Sequence, residues 1–190
     1  MSTTPLILEQ ALELLGELLE EYKAGHEIVV IGGGGLVLLH LIDRATRDID
    51  VVALFERGTY QTSEPLPPVL KQAIKEVALV LNLDEDWLNA APTDLLRRGL
   101  PEGFQVRAIV RQYKALTVQL ASRYDQIHFK LYAAVDQGPK SKHFADLKRL
   151  LPNTEELIAA ARWCLTQADG IEEDLRGAMH DLGVQGNVEL

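Results

Sequence analysis

Two aspartates, Asp48 and Asp50, have the type and spacing of residues that bind a divalent cation. They flank Ile49 and are followed by Val51, in a segment that predicts a β-strand. Alternate side chains of a strand lie on one face, so the two carboxylates are expected about 6.5 Å apart along the strand. Two carboxylates can hold Mg²⁺, which completes its coordination with substrate phosphates and water. Such an ion stabilises the attacking and leaving oxygens in phosphoryl transfer.

A run of four glycines, residues 32–35, is a second feature that could bind phosphate. It follows the β-branched segment 27–31 and precedes the apolar segment 36–42, which predicts a strand, a glycine turn and a helix. Backbone N–H groups in such a turn can approach a phosphate. A dinucleotide-binding fold is less favoured, because the third glycine of G-x-G-x-x-G would fall at Val37 and the expected acid at the end of a second strand is missing.

The elements around these motifs predict an α/β (α+β) protein with a small mixed sheet, flanking helices and a C-terminal helical lobe. Helices are expected over residues 6–23, 36–42, 69–81, 125–135, 142–151, 154–167 and 171–182. Strands are expected over residues 27–31, 48–54, 107–110 and 116–121, and short helical turns over 83–96. Residues 1–122 would form the α/β lobe and residues 123–190 the helical lobe, packed together as one compact unit.

Composition places the chain among ordinary globular proteins and restricts its partners. The 190 residues are 47% hydrophobic and carry a net charge of −9, which argues against a general nucleic-acid binder. Residues 97–149 are nevertheless basic, with eleven Lys and Arg against four Asp and Glu. A single cysteine, Cys164, fits a reducing cytoplasm. The chain shows no signal peptide, and its apolar stretch 28–42 is too short and interrupted to span a membrane.

The spacing of the glycines and aspartates resembles the signature of the nucleotidyltransferase superfamily. Twelve residues separate Gly35 from Asp48, and the string R-A-T-R-D-I-D at residues 44–50 is similar to R-x-T-x-D-I-D in AbiEii-type toxins and their uncharacterised relatives. Downstream, residues 125–133 resemble that branch's helix motif with a lysine, and residues 143–150 resemble a later motif with an aspartate on a helix. The similar segments extend from about Ile28 to Trp163.

The resemblance implies a nucleotidyltransferase-like fold and a Mg²⁺-dependent transfer of a nucleoside monophosphate from an NTP. The acceptor would be RNA such as tRNA, a protein or a small molecule, and a cognate toxin or antitoxin is the implied protein partner. Mg²⁺ would be bound by Asp48 and Asp50. The residues that the resemblance assigns to catalysis are Asp48, Asp50, Lys130 and Asp146. Those that it assigns to nucleotide binding are Gly32, Gly33, Gly34, Gly35, Thr46, Arg47 and Lys130.

Departures from this pattern keep other functions open. Many enzymes of the superfamily carry a third acid on a later strand, whereas the strand predicted here offers Thr117 and Gln119, which are poor Mg²⁺ ligands. The alternative is a catalytically weak or inactive nucleotide-binding or regulatory module of a toxin–antitoxin or phage-defence system. From residue type alone, Lys130 could equally be a snorkelling helix lysine and Asp146 a surface acid. An RNA-binding scaffold using the basic residues 97–149 is disfavoured by the net charge.

Overall fold

Residues 5–184, the part of the chain that the computed structural model describes, form eight α-helices, one 3₁₀ helix and six strands. The helices are α1 (Pro5–Glu21), α2 (Gly32–Leu38), α3 (Pro68–Leu81), α4 (Phe104–Arg107), α5 (Arg123–Gln137), α6 (Lys142–Arg149), α7 (Thr154–Gln167) and α8 (Glu172–Asp181), with the 3₁₀ helix at Ala91–Leu96. The strands are β1 (His26–Ile31), β2 (Ile49–Glu56), β3 (Thr59–Thr62), β4 (Leu88–Asn89), β5 (Ile109–Tyr113) and β6 (Leu116–Leu120). The predicted fold class is confirmed.

The six strands form one mixed sheet. Its order is β3-β2-β1-β6-β5, and the short strand β4 pairs with β2 in parallel. The central strand β1 is antiparallel to β2 and parallel to β6. Four consecutive residues of β1, Ile28 to Ile31, are buried. Because neighbouring side chains point to opposite faces, both faces of the sheet are covered at this point.

Helix α1 packs against β5, the strand at one edge of the sheet. Leu8, Leu12, Leu15 and Leu19 recur at helical spacing and are fully buried. Gly16 lies against strand β5 so closely that a Cβ there would come within 1.9 Å of the Tyr113 carbonyl oxygen. The Tyr113 hydroxyl donates to Glu9 at 2.6 Å, and Arg111 forms an ion pair with the same carboxylate. Packing and hydrogen bonds together therefore hold α1 on β5.

The C-terminal helices pack around α5, which also contacts α2 beside the glycine run. Ser122 caps α5, since its hydroxyl accepts from the backbone N–H of Asp125 at 3.2 Å. Asn153 and Glu156 form a reciprocal capping box at the start of α7, whose bounds match the prediction. The division into lobes at residue 122 stays a prediction.

Several elements differ from the expectation. The glycine run begins helix α2 instead of forming a turn before it, and the helix ends at Leu38 because His40 has a left-handed φ of 56°. Residues 104–107 form α4, so the next strand begins at Ile109. Strands β3 and β4 were not expected, and β4 lies in a segment predicted to contain helical turns. Within residues 5–184, none of the helices combines the length and apolar character needed to cross a bilayer.

Candidate functional site

Asp50 lies where three strands meet. It pairs with Ile31 at the end of β1 and with Asn89 of β4. The β1–β2 register shifts by one residue between Val29 and Val30, and such bulges re-aim the side chains that follow them. The Asp50 carboxylate consequently lies against Gly32, where a Cβ would come within 2.4 Å of Oδ2. Gly32 also has a φ of 75°, so both sterics and backbone conformation require glycine.

Asp48 lies directly before β2 and is half-buried. Burial and then the charge of Asp48 raise the pKa of Asp50, while Lys130 and Lys142 oppose this shift. Two hard carboxylates that repel each other in this way fit a cation of the Mg²⁺ class. No group of three or more His, Cys, Asp or Glu side chains within residues 5–184 could hold a metal. The two aspartates would therefore need phosphate and water as the remaining ligands.

The other three glycines have packing reasons of their own. A Cβ at Gly33 would meet Arg44 at 3.0 Å and the Thr46 hydroxyl at 3.1 Å. At Gly34 it would come within 2.6 Å of the Asp48 carbonyl oxygen. At Gly35 it would come within 2.8 Å of a side-chain nitrogen of α5. The first turn of α2 thus lies directly on the aspartate segment and on α5, and side chains would separate them.

The nitrogen that contacts Gly35 is Nε2 of Gln126, a fully buried residue that sequence reasoning missed. Its Oε1 accepts from the backbone N–H of Gly32 at 3.1 Å. Within the described residues, Nε2 has no hydrogen-bond partner. This interaction engages the N–H of Gly32, which was expected to bind phosphate.

Lys130 and Asp146 form a buried ion pair with a third member, Arg44. Lys130 Nζ lies 2.8 Å from Asp146 Oδ2, and the two side chains are 2% and 0% exposed. Arg44 donates to both carboxylate oxygens, from Nε at 2.8 Å and from Nη2 at 2.6 Å. Burial opposes ionisation of Asp146, but Arg44 and Lys130 outweigh it and lower its pKa. Burial lowers the pKa of Lys130, and Asp146 opposes that shift.

A cleft of about 480 Å³ opens between the 3₁₀ helix and α5. Its lining residues are Ile31, Gly32, Asp50, Ala91, Pro92, Asp94, Leu95, Phe129, Lys130, Tyr132, Ala133, Asp136, Gln137 and His143. It brings together three of the expected site residues, Gly32, Asp50 and Lys130. Thr46 is instead buried against Gly33, and Arg47 is exposed beside Asp48.

Two further residues of the site carry no sequence signal that reveals them. His143 lines the cleft, and burial followed by the charges of Lys130 and Lys142 lowers its pKa to about 4, so its imidazole is neutral at pH 7. Asn89 pairs with Asp50 across β4 and β2, and its side chain opposes the upward pKa shift that burial causes there. Arg44, by contrast, was visible in the R-A-T-R-D-I-D string but was given no role.

The residues considered for a third acid are engaged elsewhere. The Thr117 hydroxyl donates to Gln112 at 2.8 Å. Gln119 accepts from the Tyr60 hydroxyl at 3.1 Å and donates to Glu27 at 2.6 Å. The residue paired with Asp50 on the neighbouring strand β4 is Asn89, which carries an amide instead of a carboxylate.

Comparison with models of known protein families matches most of the chain. A family model described as "Nucleotidyltransferase of unknown function (DUF6036)" matches residues 7–140, about 70% of the chain. The matched range runs from α1 to the segment after α5 and includes both aspartates and Lys130, while Asp146 lies beyond it. No curated protein and no solved structure gives a significant match.

Proposed function

Because the chain belongs to this family of nucleotidyltransferases of unknown function, we propose that it transfers a nucleoside monophosphate from a Mg²⁺-bound NTP to an acceptor hydroxyl. The observation that carries the proposal is the shared cleft of Gly32, Asp50 and Lys130. A carboxylate pair for the cation and an ammonium group for the phosphates are the two charge types that a metal–triphosphate complex requires. The acceptor is an RNA such as tRNA, a protein or a small molecule.

In the proposed reaction, the acceptor oxygen bonds to the α-phosphorus of the NTP. The bond from that phosphorus to the oxygen bridging to the β-phosphate breaks, pyrophosphate leaves, and the hydroxyl proton passes to solvent. Mg²⁺, held by Asp48 and Asp50, would supply charge neutralisation on the phosphate oxygens. Lys130 holds the phosphates, so the protein contributes mainly position and charge.

Asp146 acts in this proposal as a positioning residue. Its two oxygens already accept three hydrogen bonds from Arg44 and Lys130, and its side chain is fully buried. An acceptor hydroxyl would therefore have to displace a cation to reach it. Asp146 instead fixes the direction of the Lys130 ammonium group, and Arg44 fixes Asp146. Arg47, exposed beside Asp48, contacts the substrate from outside the cleft.

The test incubates the purified protein with each of the four α-³²P-labelled NTPs and Mg²⁺, with and without total tRNA. We expect label transfer by the wild type and none by Asp48→Asn/Asp50→Asn. The matched control is Asp43→Asn, because Asp43 is close in sequence but 93% exposed. Full transfer by the double variant, with native circular dichroism, would refute the assignment of the metal-binding residues.

A second candidate is a nucleotide-binding module with weak or no turnover, acting as part of a cytoplasmic toxin–antitoxin or phage-defence system. It is favoured because no group of three or more His, Cys, Asp or Glu side chains within residues 5–184 could hold a metal ion, and because Asn89, not an acid, is the β4 residue paired with Asp50. A melting temperature raised by Mg²⁺-NTP without any label transfer would support this function over the enzyme. Label transfer would reject it.

A further inference from the structure

The cleft extends along α5 beyond the residues that would hold the phosphates. Lys130 and Asp136 both line it, and six residues of helix correspond to about 9 Å. One wall of this extension comes from Pro92 and Leu95 of the 3₁₀ helix, and the other from Phe129 and Tyr132 of α5. The lining also carries charged and polar side chains, namely Asp50, Asp94, Lys130, Asp136, Gln137 and His143.

We propose that this extension binds the nucleobase of the NTP between the 3₁₀ helix and α5, and that it favours purine nucleotides over UTP. This inference rests on the proposed function, which places the phosphates at Asp50 and Lys130. The cleft is continuous from these residues to Tyr132 and Asp136, so one nucleotide can occupy both parts. Its volume is within the range typical of small-molecule sites, about 300–1,000 Å³.

The aromatic wall is braced from behind. The Trp163 ring meets Tyr132 edge-on at 6.2 Å between centroids and meets Phe129 at 5.3 Å. Phe129 also packs edge-on against Phe104 at 6.3 Å. Phe129 is 4% exposed, so the half-buried Tyr132 is the ring with surface left for a base. Nucleobases stack on aromatic side chains regardless of sequence. Purines, with two fused rings, gain the larger stacking area.

The charge along the cleft sets the orientation of the nucleotide. Residue 136 lies about 9 Å farther along the axis of α5 than Lys130, and Asp94 on the 3₁₀ helix is a further carboxylate of the lining. Carboxylates repel phosphate and accept hydrogen bonds from amino groups. Adenine and guanine carry an exocyclic amino group, whereas uracil carries two carbonyl groups at its corresponding edge. Both stacking area and edge chemistry therefore disfavour UTP.

The test measures binding by calorimetry with three probes, Mg²⁺-ATP, Mg²⁺-UTP and inorganic tripolyphosphate with Mg²⁺. We expect Tyr132→Ala to weaken ATP binding about fivefold or more, the lower bound for losing one base-stacking contact. Leu95→Ala should also weaken ATP binding, because it removes apolar surface from the facing wall. Tripolyphosphate binding should not change in either variant. The matched controls are Tyr124→Ala on the same helix and Leu96→Ala on the same 3₁₀ helix, since neither residue lines the cleft among the described residues. Wild-type protein should bind ATP more tightly than UTP.

The outcomes separate this inference from the proposed function. Unchanged ATP binding in both wall variants, or equal affinity for ATP and UTP, would overturn the nucleobase site. If Lys130→Gln still abolished tripolyphosphate binding in that case, the phosphate site would stand without it. Wild-type protein that binds neither ATP nor tripolyphosphate would overturn the proposed function and the nucleobase site together.

Discussion

Replacing Asp146 with asparagine tests the buried charges that hold Lys130 in place. Asparagine keeps the size of the side chain but removes its charge. Two cations, Arg44 and Lys130, then lose the only carboxylate that the structure places between them within the described residues. Lys130 is 2% exposed and stays close to Asp146, whereas Arg44 is 25% exposed and can partly rehydrate.

The size of the effect follows from this difference in exposure. Removing one partner of a buried ion pair typically costs about 3–5 kcal/mol, because the remaining charge is left uncompensated. Since Arg44 can reach solvent, we expect the lower end, a loss of about 3 kcal/mol in the free energy of unfolding. In a protein of this size that corresponds to a melting temperature lower by about 6–12 °C.

Urea denaturation followed by circular dichroism measures this loss, with Asp43→Asn as the matched control. Asp43 is 93% exposed and pairs with Arg149 at 3.4 Å, so its replacement should change the free energy of unfolding by less than about 0.5 kcal/mol. Lys130→Met should destabilise less than Asp146→Asn, because Asp146 would keep both hydrogen bonds from Arg44.

The difference between wild type and Asp146→Asn should also depend on pH. The pKa of Asp146 is lowered on folding, so its stabilising contribution is present above the unfolded pKa of about 4 and is lost as the pH falls below it. The pKa of Lys130 is lowered too, so the cost of its buried charge fades as the pH rises toward about 10. The difference should therefore be largest between about pH 5 and pH 8. A loss no larger than that of Asp43→Asn across this range would refute the reasoning.

Substitutions at two positions, Gly32 and Gln126, test the contacts around α2. Gly32→Ala and Gly58→Ala both place alanine at a left-handed φ, of 75° and 83°, which costs about 1–2 kcal/mol in each case. Only Gly32 faces the Asp50 carboxylate, so Gly32→Ala should lower the free energy of unfolding, measured by urea denaturation, more than Gly58→Ala does. Gly32→Ala alone should abolish Mg²⁺-NTP binding. Equal behaviour of the two variants would contradict the contact between Gly32 and Asp50. Gln126→Leu should lower the free energy of unfolding by only about 1 kcal/mol. It removes the hydrogen-bond partner of the Gly32 N–H, but it also removes a buried nitrogen that has no partner among the described residues. Gln126→Glu should lower the free energy of unfolding more than Gln126→Leu does, because it buries a charge. A smaller loss with glutamate than with leucine would contradict this expectation.

The sequence predicts the long elements well because their burial pattern is repeated many times. Helix α7 has four turns, a clear cap at Asn153 and a regular apolar face, and its bounds match the prediction. Strand β3 was missed because three of its four residues are exposed and it lacks the alternation that marks a half-buried strand. Strand β4 has two residues and exists only through its pairing with β2. Such an element has no local signal.

The roles predicted for the site residues stay predictions, and the structure shows only that Gly32, Asp50 and Lys130 line one cleft. Asp48 and Asp50 lie in a single string, but β2 begins at Ile49, so Asp48 lies just outside the strand that was predicted over residues 48–54. The roles of Arg44 and Gln126 depend on contacts with residues 102 and 94 positions away, which no local pattern encodes. The helical state of the glycines was also missed, because glycine disfavours helices and only the close packing of α2 on its neighbours overrides that preference.

The pairing of β1 with β6 has a consequence for how the chain is made. Residues 32–115 separate these two hydrogen-bonded strands, so the centre of the sheet closes only after a long loop has been brought together. A ribosome must therefore release residue 120 before Ile28 to Ile31 gain their parallel neighbour. Until then, the emerging chain carries an apolar strand with an open edge, and open strand edges promote aggregation. Early arrest of translation should consequently produce insoluble fragments, whereas chains that have passed β6 can complete the sheet.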